Sequence, residues 1–540
     1  MTSRQRGTLA VAILGSAIVF LDGSFVHIAL PQIGAQLQSS LLGRLEAQTY
    51  VTSGYLATLA AFLVLAGALG DYYGRKRIFL IGLAGFGATS VLCGLAPNLE
   101  LLVLGRVLQG VAGSLLVPAS LAIITSTFEG PSRARAFGLW AAVTAALATL
   151  GPPIGGILVE LAGWRSMFLI NLPLVLIGAW LATRYMDESR DETASPTFDW
   201  LGAFVAAVAV GGLAFGAVRG QQGQWKEPLA FISLGIGAVA LIAFPVLMAR
   251  RANPLIPLDL FRIRAFSTIN LSTLLIYGAL YANFGFQSLF LQSTLGYSPL
   301  GTALIGLPTG ILLTLLSTRV GSLSGRFGVR PFLIAGPLVM ALGLLGWLRV
   351  PSTSQPWTAS LSQPGSLVPP VDALVGPLPA VIIFGLGLSL LVAPLTTGLM
   401  SSVPVRNAGI ASAINNALSR VGQPLVAATV FIVVSGAFYS GLATAAPGTD
   451  PSSPELRAAY EPLNPPPADA PPALVAAVKV ASTDAYHLAV IVGAGLLVAG
   501  AGVNAIGLRP GRPTGGSVAR RGGTDGEGAS GGGNSEAGRE

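Results

Sequence analysis

The sequence predicts an all-α polytopic membrane protein, and three observations carry that reading. Only 10% of its 540 residues are charged, 52% are hydrophobic, and the mean hydropathy is +0.70. Soluble domains carry about 25% charged residues, and no soluble architecture would hide this much apolar surface. Apolar runs of about 20 residues, the length a bilayer requires, recur along most of the chain. The third observation is a lone carboxylate, Asp22, inside one such run, Leu21-Asp22-Gly23-Ser24-Phe25-Val26-His27-Ile28-Ala29-Leu30-Pro31. An acid at membrane depth costs about 2.5–3.5 kcal/mol on insertion scales, so such groups usually face an interior and handle protons or ions.

Taken in order, fourteen spans are expected at about 8–30, 48–69, 77–96, 99–120, 136–160, 167–186, 200–219, 229–249, 266–291, 299–320, 331–350, 376–401, 407–438 and 486–508. Arg4 and Arg6 ahead of the first run would also suit a secretory signal. Asp22 and the want of a small-residue cleavage site favour a retained span. If the amino end is cytoplasmic, the outer segments hold only Arg44, Arg165, Arg219, Lys226, Arg349, Arg457 and Lys479 of the 31 basic residues. Nearly all the others fall on the inner side, which places both termini in the cytoplasm and requires an even number of spans. The formal net charge of +8 is then a topology signal, and no nucleic-acid partner is expected. Cys93 stands alone, so no intramolecular disulfide forms.

The organisation expected is a six-helix bundle over 1–186, a linker with two extra spans over 187–264, and a second six-helix bundle over 265–508. Within the latter, 441–485 carries Pro465-Pro466-Pro467 and Pro471-Pro472 and reads as an extended external loop. Residues 509–540, rich in Gly, Arg and Ser, read as a disordered cytoplasmic tail. Its arginines either touch anionic lipid or simply set topology.

Between the second and third spans runs Gly67-Ala68-Leu69-Gly70-Asp71-Tyr72-Tyr73-Gly74-Arg75-Lys76-Arg77. Its glycines permit a tight turn and close helix approach, and Asp71 can dock at a helix amino end or pair with an arginine. Gly67, Asp71, Gly74, Arg75 and Lys76 are therefore expected to form a conformational latch, with Asp71 reaching the region of Arg406-Asn407. A plain positive-inside loop would need neither the acid nor the glycine spacing. A weaker copy, Gly321-Ser322-Leu323-Ser324-Gly325-Arg326-Phe327-Gly328-Val329-Arg330, follows the tenth span and points to an internal repeat.

At membrane depth Arg106 keeps its proton, so it must face the bundle and find an acceptor. Gly151, Gly155 and Gly156 strip one face of the fifth span, and Pro152 and Pro153 bend it. In the ninth span Tyr277, Tyr281, Asn283, Phe284 and Gln287 mix aromatic surface with amides, a lining suited to amphipathic compounds. Packing or lipid contact is the commoner use of each such ring. Asn415, Asn416 and Arg420 form a polar patch in the thirteenth span, where Arg420 is placed to receive an acidic group from substrate or a partner helix.

Six motifs carry a family resemblance that extends to about residue 425. The loop at 67–77 resembles the signature loop of the major facilitator superfamily, and the run around Asp22 resembles the first-span motif of its fourteen-span drug:proton antiporter branch. Arg106-Val107-Leu108-Gln109-Gly110 is similar to the superfamily's arginine motif, and Gly151-Pro152-Pro153-Ile154-Gly155-Gly156 to its antiporter motif. Gly163-Trp164-Arg165-Ser166-Met167-Phe168-Leu169-Ile170-Asn171-Leu172-Pro173 and Asn253-Pro254-Leu255-Ile256-Pro257-Leu258 look like further hallmarks of the branch. The chain departs from the pattern at His27, Tyr50 and Tyr72, where asparagine, tryptophan and arginine are usual. The resemblance implies the major facilitator fold, two six-helix bundles plus two linking helices, and a role for Arg106 in proton coupling beside a carboxylate. A structural tie from Arg106 to backbone carbonyls is the alternative.

Function follows as an expectation: a monomeric cell-membrane exporter of small amphipathic or drug-like compounds, exchanging them for protons by alternating access, with no cofactor. Asp22 is the first choice for the proton-carrying group. His27 is either a second protonation site or a hydrogen-bonded polar residue. Export of an endogenous metabolite, siderophore or lipid is the nearest alternative; a membrane-embedded enzyme or a non-transporting sensor is remote. Neither His27 nor His487 sits in a metal-binding spacing, and no GxxxxGK[ST] loop is present to couple ATP.

Overall fold

The structure, a computed structural model, describes residues 1–37, 44–190, 198–222, 225, 227–251, 253–360, 362–447, 449–450, 452–467 and 469–509. Its long elements are helices because the chain offers long apolar runs, and a helix satisfies every backbone group within its own segment. The first half holds α1 (Ser3–Gln36), α2 (Arg44–Tyr73), α3 (Arg75–Gly94), α4 (Leu99–Ser114), α5 (Leu116–Thr127), α6 (Gly130–Ala162), α7 (Arg165–Leu169) and α8 (Asn171–Tyr185). Thr2 opens α1 with a capping box, its hydroxyl accepting from the Gln5 amide at 3.1 Å while Gln5 Oε1 accepts from the Thr2 amide at 3.0 Å. Proline divides two spans. Pro118 and Pro173 have no N–H for the carbonyls of Ser114 and Leu169, and the helices break there.

Two linking helices follow, α9 (Trp200–Gln222) and α10 (Pro228–Ala249), and then the short α11 (Asp259–Arg262). The second half holds α12 (Arg264–Leu289), which ends in a π turn at Phe290–Leu295, then α13 (Pro299–Phe327), α14 (Arg330–Leu345), α15 (Val371–Val375), α16 (Pro377–Ser401), α17 (Ala408–Ala445), α18 (Pro454–Ala459) and α19 (Pro472–Gly507). Every predicted span falls on helix. Among the described residues thirteen spans are long and apolar enough to cross a membrane. The remaining predicted span lies in α6, whose 33 residues extend about 50 Å. Phe231, Ile232, Ile236, Val239, Leu241 and Ile242 of α10 are exposed, an apolar surface that only lipid would cover. This is a multi-pass membrane protein.

Helices α1–α8 pack mainly on one another, as do α12–α19, while α9 and α10 form a pair that leans on α2 and α17. The two halves meet along two seams, α2 with α17 and α6 with α13. In the second seam Gly138 lies flat on the Ser317–Thr318 backbone, where a β-carbon would stand 3.1 Å from Thr318 Cα. Thr314 Oγ1 reaches the Ala142 carbonyl at 3.5 Å in the same seam.

The loop predicted over 441–485 is a correction. Helix α17 runs on to Ala445 and α19 begins at Pro472, so much of 441–485 is helical. Pro471-Pro472 opens a helix, where a missing N–H costs nothing, and does not mark extended chain. The remainder folds onto the second bundle: Leu463 is buried, and the Tyr439 hydroxyl donates to the Tyr460 carbonyl at 3.2 Å. The predicted tail lies outside the described residues from 510 onward.

Candidate functional site

Asp22 and Arg106 meet inside the first bundle. Asp22 lies mid-helix on α1 and Arg106 on α4, and both side chains are closed to solvent. Arg106 Nη1 donates to Asp22 Oδ2 at 2.5 Å and to Gln109 Oε1 at 2.7 Å, and Nε donates to the Val51 carbonyl of α2 at 3.0 Å. The other carboxylate oxygen, Asp22 Oδ1, accepts from Asn171 Nδ2 at 3.0 Å and Gln109 Nε2 at 3.3 Å. Ser90 Oγ accepts from both amides, at 2.8 Å from Gln109 and 3.3 Å from Asn171. Five helices thus converge on one polar cluster, three of them at the carboxylate itself. A charge in an apolar interior is tolerated only when paired and hydrogen-bonded in this way.

Aromatic and apolar groups seal the cluster. The Arg106 guanidinium carbon stands 4.0 Å from the Tyr55 ring centroid and 5.8 Å from that of Phe168. Beyond it Leu21, Phe25, Val51, Leu102, Trp164, Met167 and Phe168 form a separate apolar core. Asp22 is therefore not on the wall of the space between the halves in this conformation.

The small-residue face of α6 holds α1 around Asp22. A β-carbon on Gly151 would run into the Ser24 hydroxyl, and one on Gly155 would stand 2.7 Å from Phe25 Cβ and 2.9 Å from Met167 Cε. Larger residues at 151 or 155 would push away the segment that carries the acid. The side chains of His27, Pro152 and Pro153 lie outside the described residues, as do the surroundings of Gly156.

At the predicted cytoplasmic end, Asp71 docks on the amino terminus of α17. Asp71 Oδ2 accepts from the Ile410 amide at 3.1 Å, while Oδ1 accepts from Arg75 Nη2 at 2.8 Å and Nε at 3.0 Å. Arg75 Nη2 also reaches the Val405 carbonyl at 3.2 Å. An acid at a helix amino end meets both unsatisfied N–H groups and the positive end of the dipole. Close approach requires glycine on both sides: a β-carbon on Gly67 would lie 2.5 Å from the Gly409 carbonyl oxygen, and one on Gly409 would lie 2.6 Å from the Asp71 carboxylate.

Gly74 and Lys76 face their own bundle instead. Gly74 has φ +110°, and a β-carbon there would strike the Glu188 carboxylate at 2.6 Å. That carboxylate caps α3, accepting from the Lys76 and Arg77 amides at 3.0 and 3.1 Å. Lys76 Nζ closes the end of α8 through the Met186 carbonyl at 2.7 Å.

The residues predicted to meet substrate divide. Tyr277 and Tyr281 stack at an angle, their ring centroids 5.8 Å apart, and Arg420 lies 5.8 Å from the Tyr281 ring. Across the gap, Phe20 of α1 is 5.4 Å from Arg420 and edge-on to Trp140 at 6.4 Å. Asn415 is buried as a tie between α17 and α12, donating to Asn270 Oδ1 at 3.1 Å and Thr273 Oγ1 at 2.9 Å. Asn416 bonds the Ser412 carbonyl of its own helix at 2.9 Å, and buried Asn283 donates to Gln287 at 3.3 Å. Phe284 packs edge-on against Phe384 at 6.0 Å. A cavity of about 550 Å³ opens elsewhere, between α2, α9 and α10, with Phe62, Trp200, Phe204 and Phe215 on its walls and none of these residues.

A family model described as Major Facilitator Superfamily matches residues 12–427. The chain belongs to the major facilitator superfamily. It is accordingly a transporter and not an enzyme. Among relatives, the multidrug resistance protein Stp of Mycobacterium tuberculosis (strain CDC 1551 / Oshkosh) is 34% identical over 79% of this chain and 75% of its own length. The tetracenomycin C resistance and export protein of Streptomyces glaucescens is 29% identical over 81% and 77% respectively. The probable actinorhodin transporter of Streptomyces coelicolor (strain ATCC BAA-471 / A3(2) / M145) is 33% identical over 82% and 73%. In fold, the chain resembles the human organic anion transporter MFSD10 (TM-score 0.57, 13% identity, 93% of this chain and 100% of that one). It also resembles the proton:xylose symporter XylE (TM-score 0.55, 15% identity, 91% and 94%).

Sequence reasoning gave no role to Gln109, Asn171, Ser90, Tyr55 or Glu188. Gln109 was recoverable, because i,i+3 spacing places it on the face of Arg106. Asn171 and Ser90 carry only the weaker signal of a polar group in an apolar span. Glu188 caps α3 from more than a hundred residues away, and nothing local announces that contact.

Proposed function

We propose that this major facilitator superfamily member exports amphipathic, drug-like compounds across the cell membrane in exchange for protons, with Asp22 as the proton-carrying group. The observation that carries the reading is the closed Asp22–Arg106–Gln109–Asn171 cluster, an acid at membrane depth whose every acceptor direction depends on its charge. Protonating Asp22 removes the acceptor on which three donors converge and leaves Arg106 buried without its counter-charge. Removing one partner of a buried pair costs about 3–5 kcal/mol, enough to disfavour the conformation that encloses it. Protonation and conformation are thereby linked, as antiport requires. The resistance and export names of several relatives support the direction of transport.

With the termini and the 67–77 loop in the cytoplasm, the docked Asp71 and the α6–α13 seam close the inner side. The conformation then belongs to the outward-directed part of the cycle. Inward opening would undock Asp71 from α17 and part the two seams. Two relatives named for tetracenomycin C and actinorhodin favour, as a second reading, a substrate made by the producing cell itself.

The test is uptake of an aromatic dye, cationic ethidium or anionic fluorescein, into everted vesicles whose lumen, the outer face of the membrane, is made acidic. Wild type should move dye only while the gradient lasts. Asp22→Asn, which keeps the volume and loses the titration, should lose gradient dependence by at least tenfold. Full gradient-driven uptake by Asp22→Asn would remove this acid from the mechanism.

A further inference from the structure

Arg106 and Arg420 lie well inside membrane spans rather than at their ends, and the structure treats them in opposite ways. Arg106 has a carboxylate, an amide oxygen and a backbone carbonyl as acceptors. Arg420 has no carboxylate partner and no hydrogen-bond acceptor among the described residues. It sits on α17 eleven residues beyond Gly409, so about 16 Å in from the latch and near the middle of a bilayer about 30 Å thick. It is half-buried, and its guanidinium rests between Phe20 of the first bundle and Tyr281 of the second, 5.4 and 5.8 Å from their ring centroids. It also lies near enough to Tyr55 and Tyr277 to act on both electrostatically.

Ring faces attract a cation, but they accept none of its five N–H donors in the way a carboxylate does. A charged fork at membrane depth without an acceptor is expensive and marks a functional group by default. No acid among the described residues completes it: Asp22 is occupied by Arg106, Gln109 and Asn171. Nor is a lipid headgroup within reach, since headgroups lie about 15 Å away at the bilayer surface.

We infer that Arg420 is the anion-recognition residue of the central site and that the preferred substrates are aromatic compounds bearing an acidic group, a carboxylate or an ionised phenol. This deepens the proposed export function and rests on it for the transport step, though not for binding. The acid meets the guanidinium fork in a bidentate pair. The ring system lies against Phe20 and Tyr281, with Trp140 and Tyr277 backing them. Because Phe20 and Tyr281 belong to different bundles, a molecule held here touches both halves and senses their relative movement.

The test is equilibrium binding to the purified full-length protein in detergent, followed by fluorescence anisotropy, with two dyes on one xanthene skeleton. Fluorescein is anionic and rhodamine 123 is cationic. Wild type should bind fluorescein at least tenfold more tightly than rhodamine 123. Arg420→Gln should weaken fluorescein at least tenfold and abolish that preference, and Arg420→Lys, which keeps the charge but not the fork, should fall between. If Arg420→Gln fails to elute as a monodisperse species, the lysine variant and the wild-type ratio carry the test. Wild type without a preference for fluorescein, or Arg420→Gln binding it as wild type does, overturns the inference. The assay needs no proton gradient: loss of gradient-driven efflux beside an intact fluorescein preference would sink the antiport reading alone.

Discussion

Gly67→Ala adds a single methyl at the tightest point of the latch seam. The new carbon would lie 2.5 Å from the Gly409 carbonyl oxygen and 2.6 Å from Ala413 Cβ. Unstrained carbon contacts stand at about 3.5–4.0 Å, so α2 and α17 must part by about 1 Å or the new side chain must distort both. Neither neighbour is the free end of a flexible chain, because one is backbone and the other a β-carbon fixed to a helix. Overpacking of this kind costs about 1–3 kcal/mol. The cost falls only on the conformation in which the helices touch, so the closed-to-open ratio at this end should drop about 5- to 150-fold.

Gly70→Ala is the matched control, one turn further along the same helix, with nothing within 4 Å of the added carbon. It should gain about 0.4–1 kcal/mol of helix stability and leave the equilibrium alone. Spin labels on cysteines at Arg77 and Ser322, exposed on the two halves, report the separation by pulsed dipolar spectroscopy. The native Cys93 is buried and should not label. Gly67→Ala should shift the distance distribution to longer values while Gly70→Ala matches the parent. Identical distributions for the two variants would refute the steric account of the latch.

Other substitutions probe the remaining contacts. Gly151→Ala drives a methyl into the Ser24 hydroxyl and should lower thermal stability in detergent by about 1–3 kcal/mol. Ser24→Ala in the same chain should recover part of that loss, and strictly additive effects would show that the two residues do not meet. Asn415→Leu strips donors from Asn270 and Thr273 inside the second bundle and should cost about 1–3 kcal/mol in the same measurement. If it instead alters which dyes are exported at unchanged stability, Asn415 is a substrate contact and not a tie.

The spans were legible because their cause is local: a bilayer demands about 20 apolar residues, and hydropathy counts them. The breaks at Pro118 and Pro173, inside spans read as continuous, have an equally local cause. Proline misled at 471–472, where its two uses, ending extended chain and opening a helix, look alike until the residues after it are weighed. Within the polar patch on α17, composition could not separate Asn415 from Arg420. An amide at membrane depth serves as readily to tie two helices as to face a cavity, and which it does depends on the residue opposite, Asn270 or open space. Arg420 differs because its charge admits fewer silent roles. The loop at 67–77 announced a close helix contact by its glycines and acid, yet the Ile410 amide and the Glu188 cap belong to tertiary structure alone.

On the proposed reading, proton and latch must share an element whose position both affect, and α2 is that element. Its Val51 carbonyl accepts from Arg106, its Tyr55 ring lies under the guanidinium, and its Tyr55 hydroxyl donates to the Val19 carbonyl of α1 at 3.1 Å. Thr58 Oγ1 donates to the Val107 carbonyl at 2.9 Å, so the same stretch is fastened to α4 beside Arg106. Twelve residues beyond Tyr55, about 18 Å along an unbroken helix, stand Gly67 and then Asp71. The charge-assisted bonds at Asp71 are worth about 1.5–3 kcal/mol each before the helix-end term of about 0.3–1 is added. The penalty for leaving Arg106 unpaired, about 3–5 kcal/mol, is of the same size. Two local switches of matched strength on one stiff rod can trip each other, whereas a far stronger latch would ignore the proton and a far weaker one would open without it. On that reading, it is the comparable size of these terms, rather than the strength of either, that would let a single carboxylate bias which side of the membrane is open.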